Sequence, residues 1–113
     1  MLRQLILLAL PFSLLAFQTK AFAGATSTQI AGILLVEDGN LVYVYPKGGV
    51  ASPPACHGSN GNYYSFSMSR PRAKEYLAAL LTAQTRGATV LLVGTGTCKD
   101  QSVSETLSYF VVY

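Results

Sequence analysis

The chain has 113 residues, half of them hydrophobic, with eight Lys and Arg against five Asp and Glu and a single histidine. A length of that order holds one domain. Arg3 and Lys20 fall in the first 23 residues, leaving six bases against five acids, and no basic stripe of the kind that marks a nucleic-acid interface.

Residues 1–23 have the pattern of a secretory signal peptide. Arg3 supplies the positive start, and residues 5–17 form an apolar run broken only by Pro11 and Ser13. Gln18-Thr19-Lys20 makes a polar step. Ala21-Phe22-Ala23 then places small residues where signal peptidase needs them. The apolar run is shorter than the roughly 20 residues of a membrane span, so none is expected after cleavage. Cleavage after Ala23 predicts a mature domain, residues 24–113, that is periplasmic or secreted.

A domain this small gains little from its core alone, and Cys56 and Cys98 are the only cysteines. In an exported chain such a pair reads as a disulfide. Closing a loop of about 43 residues destabilises the unfolded state by roughly 4 kcal/mol on the chain-entropy model.

Residues 29–36 are rich in aliphatic residues, and 41–45 alternate apolar and polar; Glu37-Asp38-Gly39-Asn40 joins them as a hairpin turn. Residues 46–62 read as a loop, dense in Gly, Pro, Ser and Asn. Residues 63–68 alternate again, with Tyr64, Phe66 and Met68 on a buried face and Tyr63, Ser65 and Ser67 on the other.

The period then lengthens to 3.6 over residues 69–86, with Ala73, Leu77, Leu80, Leu81 and Gln84 on one face. Ser69 is placed to cap this helix, Pro71 is tolerated in its first turn, and Gly87 can close it. The bases Arg70, Arg72 and Lys74 read as a solvated helix start. Residues 88–93 and 106–113 complete the order β-β-β-α-β-β.

The chain is therefore expected to be mostly β with one helix, and this order is that of the five-stranded OB-fold barrel. In that arrangement Leu77, Leu80 and Leu81 plug the barrel end. The alternative is an α+β fold with one helix on an antiparallel sheet.

Several local features carry a further likeness. Ser52-Pro53-Pro54-Ala55-Cys56, the aromatic Tyr63-Tyr64-Ser65-Phe66, the Gly87-Ala88-Thr89-Val90 strand entry and Cys98 follow one another in an order that resembles small exported OB-fold proteins of proteobacteria. Some of these are similar to the B subunits of subtilase-type and pertussis-like AB5 toxins. The resemblance implies a glycan-binding, ring-forming subunit, pentameric in the toxins. It transfers no sugar-contacting residue to a position here.

Catalytic signatures are absent from the sequence: His57 sits in a loop beside Ser52 and Ser59, with no nucleophile motif around it. Glu37 and Asp38 are turn residues. Gly94-Thr95-Gly96-Thr97 lacks the lysine and helix of a phosphate loop and reads as a flexible strand exit. No cofactor or metal ligand set is expected, and no catalytic residue is assigned. The tyrosines remain. Tyr43 and Tyr45 share a strand face, which either packs in the core or at a subunit interface or presents Tyr43 to a ligand; Tyr63, with Ser65, Asn60 and Asn62 nearby, is expected to be exposed and to bind ligand, since a phenol ring combines a flat apolar surface with a hydroxyl. The partner is then a glycan, or a protein if the chain is instead a periplasmic inhibitor or assembly factor.

Overall fold

The computed structural model describes residues 24–58 and 62–113. They form β1 (Ala25–Val36), β2 (Leu41–Pro46), β3 (Tyr64–Ser67), α1 (Ala73–Arg86), β4 (Thr89–Gly94) and β5 (Leu107–Val112). The strands make one open antiparallel sheet in the order β3-β2-β1-β4-β5. The expected element order is met, and the α+β alternative describes it.

β1 links the two halves of the sheet. Its first part, from Ala25 to Gln29, pairs with β4, and its second part, from Ile30 to Val36, pairs with β2. The register shifts between Ile30 and Gly32, the local bend that a bulge imposes on a strand. The β1–β2 turn uses Gly39 and Asn40, both at positive φ, and the Asn40 N–H closes it on the Glu37 carbonyl at 3.0 Å.

Alternation then decides which residues form the core. Val42 and Val44 from β2, Tyr64 and Phe66 from β3, Val90 and Leu92 from β4, Leu107 from β5 and Leu80 from α1 are fully buried, with Ile30 beside them. Each large aliphatic side chain so buried contributes about 1.5–3 kcal/mol.

The helix departs from expectation at its start and on its face. Ser69 caps nothing: its N–H donates to Ser67 Oγ, and the helix begins at Ala73 with no side-chain cap. The preceding turn is instead held by Arg70, which donates to the carbonyls of Leu107 and Ser108 and lies 5.1 Å from the centre of the Tyr76 ring. Arg70 is thus part of the packing, whereas Arg72 and Lys74 are exposed.

The buried stripe is Ala73, Leu80 and Ala83, with Tyr76 and Leu77 partly covered, while Leu81 is 41% exposed. Tyr76 packs edge-on against both Phe66 and Phe110, which turns the helix away from the face that hydrophobic spacing alone predicts. Gly87 closes the helix in the left-handed region, as expected, and the Ala88 N–H reaches back to the Ala83 carbonyl.

The second departure concerns β3, expected to be buried on one side. Both sides are covered, because residues 97–106 fold across its outer face. Asp100 accepts the Ser67 N–H, Thr106 Oγ1 accepts the N–H groups of Lys99 and Asp100, and Ser65 donates its N–H to the Glu105 carbonyl. A single parallel bridge, Ser65 to Thr106, lies beside these bonds.

Cys56 and Cys98 form the expected disulfide, with their Cα atoms 6.1 Å apart. It ties the loop after β2 to the segment leaving β4. Among the described residues no helix is long and apolar enough to cross a membrane; the expected signal peptide, residues 1–23, lies outside the described residues.

Candidate functional site

The outward side chains of β2 are Tyr43 and Tyr45, each partly exposed, back to back with the buried Val42 and Val44. Tyr63, directly before β3, folds over them. Its ring stacks on Tyr43 with centroids 4.2 Å apart and planes at 20°, and it meets Tyr45 at 5.1 Å and 48°. The near-parallel rings bury an apolar face of each phenol against the other.

Gly32 stands opposite Tyr45 in the β1 register, so the β1 residue directly facing that tyrosine brings no side chain. Leu34, opposite Tyr43, is 48% exposed. The result is an aromatic surface with an apolar margin.

Gln101 orders the hydroxyls. Its Nε2 donates to the Tyr43 hydroxyl, and its Oε1 accepts from the Tyr63 hydroxyl at 2.8 Å and from Ser104. Ser65 and Ser104 share a further bond of 2.6 Å between their hydroxyls. With Ser104 donating to Gln101, Ser65 is the donor in that pair. One amide thus fixes both phenol hydroxyls, so the Tyr43 and Tyr63 rings are held from the rim. Burial raises the pKa of Tyr43 and of Tyr45, with the neighbouring Tyr63 adding to both, so both phenols stay protonated at neutral pH.

The expected ligand residues therefore separate. Tyr43 and Tyr63 come together as a stacked pair, but Tyr63 is only 8% exposed, against the expectation of an open ring, because Tyr43 and the 97–106 segment cover it. Ser65 is fully buried under the same segment. Asn62 is exposed and lies against Gly49. Asn60 lies outside the described residues, as does Ser59.

Gln101 escaped the sequence reading, since a glutamine in a polar loop carries no periodic signal. Tyr45, recognised for its strand face, is the member of the cluster that faces a glycine on β1.

His57 and Glu105 meet on the other side of that segment. The Glu105 N–H donates to His57 Nδ1 at 3.0 Å, and the Gly58 N–H donates to the Val103 carbonyl at 2.7 Å. Burial lowers the His57 pKa, and an Nδ1 that accepts a hydrogen bond requires the neutral ring.

The Glu105 side chain is itself fully buried. Gly94 leaves it room, and the Gly96 N–H donates to Oε2 at 2.9 Å. The Gly94-Thr95-Gly96-Thr97 stretch is thus a carboxylate cradle and not merely a strand exit. Alternate glycines were the one sequence sign of it. Burial raises the Glu105 pKa, partly offset by backbone N–H groups of Gly96 and Gly24.

A second surface lies on the opposite half of the sheet. Leu91, Val93, Tyr109 and Val111 form outward cross-strand pairs between β4 and β5, with Tyr109 at 52% exposure and Val111 at 39%. Comparison with protein-family models, with curated proteins and with solved structures finds no match to the chain.

Proposed function

We propose that this chain is an exported, non-catalytic binding module that recognises a glycan, or another envelope or host-surface component, through the outer face of β2 around Tyr43, Tyr45 and Tyr63. The observation that carries the reading is the tyrosine cluster itself: three rings gathered over one strand face, two of them, Tyr43 and Tyr63, held by Gln101. Sugar rings present apolar C–H faces and hydroxyls together, and a tyrosine surface answers both. Tyr45 supplies the open ring and Tyr43 the hydroxyl at the rim, while Tyr63 backs the pair. Asn62 and Leu34 are exposed at hand for additional contacts.

The finer fold reading is a partly closed OB-like barrel, in which this strand face is the usual ligand surface. The parallel bridge from Ser65 to Thr106, the bent β1 shared by both halves and the helix between β3 and β4 support it. The resemblance to toxin B subunits points to the same ligand class and to assembly as a homo-oligomeric ring. Export to the periplasm or beyond agrees with the Cys56–Cys98 disulfide, a bond of oxidising compartments.

A protein partner is the second reading, that of an inhibitor or assembly factor. Exposed Tyr109, Val111 and Tyr113 on β5 and at its end favour it, since apolar residues gathered on one face mark association surfaces. A glycan array and native mass of the exported protein test the two together. Binding on the array with a ring-sized mass supports the glycan reading; a monomer silent on the array overturns it in favour of the protein partner.

A further inference from the structure

Glu105 is the most demanding residue in the fold. Its carboxylate is fully buried, one oxygen takes the Gly96 N–H, and the other, Oε1, lacks a full hydrogen bond among the described residues, although the Gly24 N–H faces the carboxylate. An ionised carboxylate in that position loses its hydration without full compensation. Tyr64 and His57 are the titratable groups around it, and neither supplies a positive charge: burial keeps the Tyr64 phenol protonated and the His57 ring neutral.

Gly24 lies beside Oε1. Its carbonyl accepts the Gly94 N–H at 2.9 Å, which fixes it at the entrance to β1. A Cβ on Gly24 would stand 2.6 Å from the Ala51 carbonyl oxygen, 2.9 Å from that of Ser52 and 3.3 Å from Glu105 Oε1. Glycine alone fits there, and all three neighbours are acceptors. The Gly24 N–H itself faces the Glu105 carboxylate and favours its charged form, and an ammonium at that nitrogen carries three donors and no acceptor where the amide has one.

We propose that Glu105 is the receptor for the α-ammonium created when the signal peptide is removed at Gly24, so that export processing completes the core. This rests on the export reading above. In the cleavage, water adds across the Ala23–Gly24 peptide bond: the C–N bond breaks, the hydroxyl goes to the Ala23 carbonyl carbon, water's other proton goes to the Gly24 nitrogen, and the proton lost by the new Ala23 carboxyl completes the ammonium. An amide with one N–H becomes a cation with three at the nitrogen that already faces the buried carboxylate. The precursor carries Glu105 without a countercharge, and the mature protein carries it paired.

The test uses the whole precursor, expressed in an exporting bacterium, beside one with two residues inserted between Ala23 and Gly24, so that cleavage leaves Gly24 acylated. Each is made with Glu105 and with Glu105→Gln, and intact mass records each mature N-terminus. The expected result is a melting temperature higher by about 5 °C or more for the Gly24-terminal protein, a gap that Glu105→Gln removes. Equal melting of the two Glu105 proteins overturns the pairing, whereas a mass that places the natural N-terminus elsewhere overturns the export reading on which it rests. Should Glu105→Gln not fold, the Gly24 amine pKa by NMR decides. Pairing holds it about one unit or more above the ordinary 7.7–8.0, and an ordinary value refutes the pairing.

Discussion

Gly94 and Glu105 share one volume: a Cβ on Gly94 would overlap the Glu105 carboxylate. The last residue of β4 is glycine because a glutamate eleven positions later folds its side chain across it. Gly94→Ala should therefore destabilise the protein by about 2–4 kcal/mol, as overpacking of a rigid site does. Shortening the opposing side chain should return part of the loss, so that Gly94→Ala with Glu105→Ala is less than additive in urea unfolding.

Removing the Cys56–Cys98 bridge by Cys56→Ala with Cys98→Ala should cost about 2–4 kcal/mol, chiefly by freeing the unfolded chain. The loop after β2 should also loosen. Hydrogen exchange will show it at the Gly58 and Glu105 amides, which join that loop to the 97–106 segment. Thiol titration of the unreduced protein should find no reactive cysteine.

Stability should fall on mild acidification through His57. The fold favours the neutral ring and the unfolded chain titrates near 6.5, so the unfolded state binds more protons just below that pH. The contribution is complete above pH 6.5 and is lost as the pH falls through the lowered native value. His57→Gln should flatten this part of the profile, read as urea midpoint against pH.

Arg70→Lys should destabilise by about 1–2 kcal/mol even though charge is kept. The guanidinium reaches two carbonyls of β5 and lies on the Tyr76 ring, and a lysine ammonium cannot reproduce that fork. Chemical denaturation measures the loss, and Arg72→Lys, at an exposed position, should leave the midpoint unchanged.

The strands, the hairpin, the helix and the disulfide were legible because each rests on local period, on turn residues or on the count of cysteines. Three things were not. Leu81 shares the spacing of Leu77 and Leu80, yet the Phe66–Tyr76–Phe110 contacts set the helix rotation, and these join residues far apart in the chain. Ser69 has the chemistry of a cap, but Arg70 holds the turn on β5 and the helix starts later. The burial of Tyr63 and Ser65 depends on a polar stretch, residues 97–106, folding across β3 through Gln101, Ser104 and Asp100. Hydroxyls, amides and carboxylates of that kind satisfy one another only in three dimensions, so hydrophobic patterning assigns them to solvent.

The tyrosine cluster is the centre of the functional account, and Tyr45 is its open ring. A glycan array run with the wild-type exported protein and with Tyr45→Ala side by side tests it most directly. The wild type should bind, and Tyr45→Ala should lose about tenfold or more in affinity with the fold intact by circular dichroism, in line with the roughly one kcal/mol that an aromatic stacking contact contributes. A wild-type protein that binds nothing on the array, or binding that Tyr45→Ala leaves unchanged, would contradict it.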